Sequence, residues 1–320
     1  MGGVGKAFGK LLLFGEHAAV YGYPAVGMSL PEGITVTLGD TVLPDWNLDT
    51  VAESDRTGVR GILSRMKETV SGFAGRGGCD VNIESHLARN AGFGSSAALC
   101  GAFARAALDH VGRPEHANTP AHDVTRAWAI AHDAERLFHG TPSGVDTGLA
   151  LLGGTCVLTP RPPGLPDYGR VTPRGLCLVV GAVPRDAACA ALIAGLGARL
   201  KSGDAAARNS IDVLGSISAE AAAVLAAEGE GCTMRLGALA DKAMEQLRLL
   251  GLSTPELDRV LATARAAGSI GGKLSGAGGG GAFYAIARDQ EAAADIAGRM
   301  KKAAAETGVV FTSPLRVLFA

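Results

Sequence analysis

Neither sign of charge predominates in this sequence: 30 basic residues face 31 acidic ones, for a formal net charge of −1. No run of lysine and arginine is present to follow a nucleic-acid backbone or an anionic lipid surface, so neither a nucleic-acid nor a membrane partner is expected. An anionic ligand has to be met by local groups. The six cysteines, Cys79, Cys100, Cys156, Cys177, Cys189 and Cys232, form no C-x-x-C pair. Most sit in apolar surroundings, which reads as buried free thiols rather than bridges or zinc ligands and agrees with a reducing cytoplasm. The N-terminus lacks the charged region, apolar core and small-residue cleavage site of a signal peptide, and no apolar stretch reads as long enough to span a bilayer. Repeats and low-complexity tails are missing too. With 47% hydrophobic and 19% charged residues over 320 positions, a soluble globular chain with room for two domains is expected.

What the sequence has in excess is glycine, 46 residues gathered into clusters. Three clusters matter: GKLLLFGEHAAVYGYP (9–24), ARNAGFGSSAALCG (88–101) and GGKLSGAGGGGAF (271–283). The first opens on a strand-like run, Leu11 to Phe14, that stops at Gly15. The second leads from VNIESHL (81–87), which alternates like a strand, into an Ala/Leu-rich stretch from Ser95 to Val111 with good helix propensity. The third reads as a glycine loop between a helical segment and the strand-like AFYAIA (282–287). Capping logic places two helices: Thr119-Pro120 opens one that His139-Gly140 stops, and Thr254-Pro255 opens one that Gly268 closes. The segment RPPGLPDYGRVTP (161–173) is the natural connection between domains, and LCLVVGAV (176–183) restarts regular structure.

A strand feeding Gly92, Gly94, Ser95 and Ser96 and then a helix presents free backbone N–H groups and the positive end of a helix dipole. Such a loop suits phosphates, with a serine hydroxyl able to reach a phosphate oxygen or a bound Mg²⁺. A glycine-rich turn without ligand is the plain alternative. The loop is not of Walker type, because GKLL (9–12) and GKLS (272–275) lack the upstream glycine. On the helix before Gly140, Val124, Trp128, Ala131 and Phe138 fall on one stripe with Glu135 in its middle. A buried carboxylate needs an ion pair, with Arg126 or Arg136 as candidates, or a metal. Glu135 lies one turn before the stop that begins HGTPSGVD (139–146), so it and Asp146 can converge. Lys10 stands at the start of an apolar strand, with Glu16 and His17 just past its end; a surface lysine and a satisfied loop histidine are the plain readings. SGAGGGG (275–281) reads as a flexible linker or, given its packed flanks, as a loop closing over a ligand.

Together these clusters resemble the superfamily of galactokinases, homoserine kinases, mevalonate kinases and phosphomevalonate kinases, the GHMP kinases. GKLLLFGEHAAVYGYPAV resembles the opening motif of the mevalonate kinase branch, ERLFHGTPSGVD (135–146) its acid-bearing motif, and KLSGAGGGGA its closing motif. The resemblance implies an α+β, two-domain fold with the active site in the cleft between domains: residues 1–165 with the phosphate loop, and residues 166–320 with the glycine-rich closing loop. It implies ATP and Mg²⁺, and phosphorylation of a small-molecule alcohol, the C5 hydroxyl of mevalonate. Asn90, Ala91, Gly92, Phe93, Gly94, Ser95, Ser96 and Ala97 would wrap the nucleotide phosphates. Ser96 and Glu135 would hold the metal, and Asp146 and Lys10 would be catalytic. Glu16, His17, Arg185 and Ala277 would fall on the substrate side. Oligomeric state is left open, a homodimer included. Related alcohols such as phosphomevalonate or homoserine are the second reading, and a metabolite sensor without catalysis the third; AAVYG after the GEH counts against a sugar. Three departures stand out: Asn90 replaces a glycine in a loop that has lost its prolines, Ala187 replaces a threonine, and Phe93 replaces a leucine. Asparagine tolerates left-handed geometry best among the alternatives, so the loop is expected to survive.

Overall fold

The computed structural model describes residues 2–112, 120–185, 189–227 and 231–319. Thr119 and Ala187 therefore lie outside the described residues. The first sheet is antiparallel throughout: β1 (Gly3–Phe14) pairs with the long β2 (Ala25–Asp40). The other edge of β2 is shared, its beginning pairing with β4 (Thr155–Arg161) and its end with β3 (Cys79–Ser85), while β5 (Gly164–Val171) adds beyond β4. Four helices accompany this sheet: α1 (Glu53–Thr69), α2 (Ser95–Val111), α3 (Pro120–His139) and α4 (Val145–Leu152). The second sheet, also antiparallel, runs β7 (Gly271–Leu274), β8 (Gly281–Ala287), β6 (Cys177–Val183), β9 (Ser313–Phe319). With it go α5 (Cys189–Lys201), α6 (Ala205–Ala227), α7 (Cys232–Leu249), α8 (Pro255–Ala266) and α9 (Gln290–Thr307).

The apolar pattern explains the layering. β6 and β8 are buried at every position, as strands covered on both faces must be. α2 is rich in alanine and packs on β1 with its backbone close to the strand: a Cβ on Gly3 or Gly5 would collide with the carbonyls of Ala106 and Ala102. That close approach carries the start of α2 to the Lys10 end of β1. The caps act as expected for α8, whose Thr254 hydroxyl accepts from Leu257 N at 3.2 Å.

Three expectations change. The segment 161–173 is not a free connection: most of it is β5, hydrogen-bonded to β4, and the chain passes to the second sheet only after Val171. A division at 165/166 cuts this strand. The closing loop follows β7 rather than a helix. β7 escapes helical periodicity because it is only four residues long, and its glycines let α7 lie against it, Gly271 meeting the backbone of Gly237. Finally, one helix, α6, is long and apolar enough to cross a membrane by length and composition. Its apolar face serves the core instead, with Ile211, Leu214, Ala221 and Val224 buried and the Ser218 hydroxyl donating to Pro24 O at 2.6 Å.

The two halves are joined where β1 ends. Tyr284 Oη donates to Leu13 O at 2.7 Å, Leu12 N donates to Ser275 Oγ at 2.9 Å, and the buried Lys273 ammonium is paired with the buried carboxylate of Glu16. The residues at this junction border a cleft.

Candidate active site

The cleft has a volume of about 310 Å³ and is lined from both halves, by Lys10, Glu16, Glu135 and Asp146 on one side and Arg185 and Ala277 on the other. Lys10 reaches it from β1, held by its own backbone N–H donating to Phe93 O at 2.8 Å. Its ammonium lies 3.1 Å from Asp146 Oδ2, and the two differ in access: the lysine side chain is 5% exposed, the aspartate 36%. Lys10 is thus a buried charge matched by an acid that still faces the opening.

Asp146 is not in a loop. Gly144, at φ 79°, caps the short helix α4, and Asp146 is its second residue. The alternation of glycine, proline and serine before it hides this helix from a periodicity reading, because the helix is only eight residues long. Trp128 Nε1 donates to Gly144 O at 3.0 Å, fixing the turn from below.

Glu135 projects from α3 and is 1% exposed. Neither suggested arginine satisfies it: Glu135 Oε2 is buried with no hydrogen-bond partner. Burial, reinforced by the negative charge of Asp146, pushes its carboxyl up to about 8, against the opposing pull of Lys10 and Thr147. The stripe around it holds for Trp128 and Ala131, but Phe138 is 41% exposed and its ring lies beside Gly58 of α1.

The loop from Asn90 to Ser96 takes the shape expected of a phosphate cradle. Asn90 (φ 56°), Gly92 (φ 86°) and Gly94 (φ 73°) are left-handed, so the asparagine keeps the geometry of the glycine it replaces. Gly94 also has to be bare, since a Cβ there would meet the Lys10 Cγ at 2.6 Å. Ala91 and Phe93 are buried, Ser95 and Ser96 begin α2 with their N–H groups free of helix partners, and Ala97 packs into the core. Ser96 Oγ is 3.1 Å from His139 Nε2. In the sequence His139 reads only as a helix stop. Its place one turn after Glu135, on the same face of α3, is the signal that marks it as a cleft residue.

On the opposite wall, His17 donates from Nε2 to Ala277 O at 3.1 Å, and burial lowers its pKa to about 4, so the ring is neutral at ordinary pH. Glu16 lines the cleft, yet its Oε1 is committed to Lys273; burial pushes the Glu16 carboxyl up while the ammonium pulls it down. Lys273 is the second residue that sequence reasoning missed. Arg185 is exposed at the cleft mouth, with its guanidinium beside Gly92 and Gly281. The structure thus gathers Lys10, Glu16, His17, Glu135, Asp146, Arg185 and Ala277 around one cleft, with the phosphate loop on its Lys10 side.

Two family models match this chain, the GHMP kinases N terminal domain over residues 59–154 and the GHMP kinases C terminal region over residues 221–306. The chain belongs to the GHMP kinases. Like other GHMP kinases it is an ATP-dependent enzyme acting on a small molecule. Among curated relatives, the mevalonate kinase of Methanothermobacter thermautotrophicus is 28% identical over 284 residues, covering 86% of this chain and 87% of the relative. That of Pyrococcus horikoshii is 28% identical, with 90% of each chain covered. Among solved structures, L. major mevalonate kinase in complex with R-mevalonate matches with a TM-score of 0.72 and 25% identity, over 94% of this chain and 91% of that one. The fold is shared more widely: Streptococcus pneumoniae phosphomevalonate kinase in complex with phosphomevalonate and AMPPNP gives a TM-score of 0.75 at 15% identity, over 98% and 99% of the two chains.

Proposed function

We propose that this GHMP kinase transfers the γ-phosphoryl group of ATP to the C5 hydroxyl of mevalonate. The observation that carries the reading is the 3.1 Å contact of buried Lys10 with the cleft-facing Asp146, in the cleft that also holds the buried carboxylate of Glu135, whose Oε2 has no hydrogen-bond partner. Curated relatives that share this length and are named mevalonate kinases support the choice of alcohol.

The orphaned Glu135 oxygen fits a divalent cation. Mg²⁺ is commonly held by one or two carboxylates together with substrate phosphates and waters, so Glu135 and the Ser96 hydroxyl are the residues that would hold it. The ion, when bound, neutralises charge on the phosphates. Every other part belongs to the chain. Backbone N–H groups from Asn90 to Ala97 cradle the phosphates at the start of α2. Asp146, through the carboxylate that Lys10 orients, accepts the proton of the substrate hydroxyl as its oxygen bonds to the γ-phosphorus. The bond to the β–γ bridging oxygen breaks, and ADP leaves with that electron pair. Lys10 offsets negative charge on the transferring group, and positioning supplies most of the rate. Arg185, at the mouth, suits the substrate carboxylate, with neutral His17 and Ala277 forming the wall beneath.

The test is ADP release from Mg-ATP with a panel of alcohols: mevalonate, phosphomevalonate, homoserine and galactose. Turnover with mevalonate alone is expected. Preference for another member of the panel would overturn the substrate assignment, and release with none would overturn the reaction.

A further inference from the structure

Phe93, which stands where the resembled motif has leucine, is buried in the middle of the phosphate loop, 2% exposed. Its carbonyl accepts the Lys10 backbone N–H. Its ring lies under the guanidinium of Arg316, whose Cζ is 5.7 Å from the ring centroid. Arg316 comes from the other half of the molecule, on the edge strand β9. Its Nη1 is 2.5 Å from Glu32 Oε1, and its Nη2 donates to Ser313 Oγ at 3.1 Å. Glu32 sits in the stretch of β2 where the β1–β2 register slips between Phe8 and Lys10.

One guanidinium therefore touches three segments: the phosphate loop through its π face, β2 through an ion pair, and its own strand through a hydroxyl. The two charged side chains are 21% and 30% exposed, so the pair is shielded better than a surface bridge. Arginine suits the place because its planar group can stack on an aromatic ring while its edge binds a carboxylate. None of Arg316, Glu32 and Phe93 lines the cleft, and the transfer chemistry uses none of their side chains. What they share is the loop whose N–H groups must be aimed before nucleotide arrives.

We propose that Arg316 is a positioning residue for the nucleotide: clasped between Glu32 and the Phe93 ring, it holds the phosphate loop against Lys10 from the opposite half of the fold. The inference rests on the reading of the chain as an ATP-dependent kinase. It is tested with the full chain by measuring Mg-ADP binding calorimetrically, and KM and kcat for both substrates, in Arg316→Met, Arg316→Lys, Phe93→Leu and the Arg316→Met/Phe93→Leu double variant. Arg316→Met is expected to weaken Mg-ADP binding and to raise KM for ATP by about tenfold, with kcat and KM for mevalonate within about twofold. Arg316→Lys, which keeps a cation over the ring, should recover part of the loss, and the double variant should bind no worse than the worse single one. Unchanged ADP binding in Arg316→Met would overturn the proposal. So would an equal loss in both substrates and kcat with a lowered melting temperature, which marks a purely structural role, and so would full additivity of the two substitutions. A wild-type chain that binds no Mg-ADP would overturn the kinase reading itself, and is told apart from these by the parent protein alone.

Discussion

Glu135→Gln should make this protein more stable and nearly inactive. The carboxyl of Glu135 is raised from 4.5 to about 8, first by burial and then by Asp146. Between those two values the folded chain binds a proton that the unfolded chain has released, so stability falls as pH rises through the window from pH 4.5 to 8. At pH 7 the span of about 2.5 units at ~1.36 kcal/mol per unit gives a cost of about 3 kcal/mol. Solvent screening offers little discount, since the side chain is 1% exposed. Glutamine keeps the shape and removes the ionisation, so the variant should gain several degrees in melting temperature at pH 7 and lose most of the difference at pH 4.5. The same substitution removes the carboxylate expected to hold Mg²⁺, and turnover should fall by at least about a hundredfold. Parallel thermal melts of both proteins from pH 4.5 to 8, with ADP release measured alongside, make the check. A variant that melts lower than the parent at pH 7 would show that Glu135 is satisfied in the folded chain, and the argument for a cation there would go with it.

The remaining predictions concern its neighbours. Asp146→Asn should lower turnover by about a thousandfold or more while Mg-ADP still binds, because proton acceptance is lost and the phosphate loop is untouched; normal turnover in this variant would refute the assignment. Gly94→Ala forces a left-handed alanine whose Cβ meets Lys10 Cγ at 2.6 Å, so both stability, by about 1–2 kcal/mol, and kcat should drop. A melt and a steady-state assay together would expose a variant that loses neither. His17 is depressed from 6.5 to about 4 by burial, so the unfolded chain protonates first on acidification. Its contribution is intact above pH 6.5 and is lost towards pH 4, and by pH 5 the loss amounts to about 2 kcal/mol. His17→Gln should flatten the acid limb of the stability profile, and an unchanged limb would place the titration elsewhere.

How far the sequence carries the site follows from what each residue's position encodes. Lys10, Glu135 and Asp146 are legible because each is a charge in an apolar or glycine-bound context, where a structural role alone would be costly. Asn90 is legible for a different reason: left-handed backbone leaves few residue choices, and the loop holds it at φ 56°. The partners were harder. Lys273 lies two positions before the closing loop, in a flank that reads only as packed, and it is fully buried against Glu16, a contact spanning 257 residues of sequence. No local pattern encodes such a pairing. β5 is hidden by its proline and glycines, which read as a linker but suit a strand at the edge of a sheet.

These long-range pairings also explain why the cleft is so short of freedom. Lys10 is fixed by its backbone to Phe93 and by its ammonium to Asp146; Phe93 is fixed by its ring to Arg316. Just past β1, His17 is fixed to Ala277 and Glu16 to Lys273, so the glycine-rich loop and the strand that leads into it are each tied to the segment following β1. Each tie joins one half of the fold to the other, joins a catalytic group to the phosphate loop, or joins the two catalytic groups to each other. A perturbation at β9 can therefore reach the nucleotide without touching it, whereas one at α8, whose contacts lie with α9 and the second sheet, should not. That contrast follows from the geometry alone: positioning by distant strands requires that the loop be held, and glycines that permit the left-handed turns cannot supply the holding themselves.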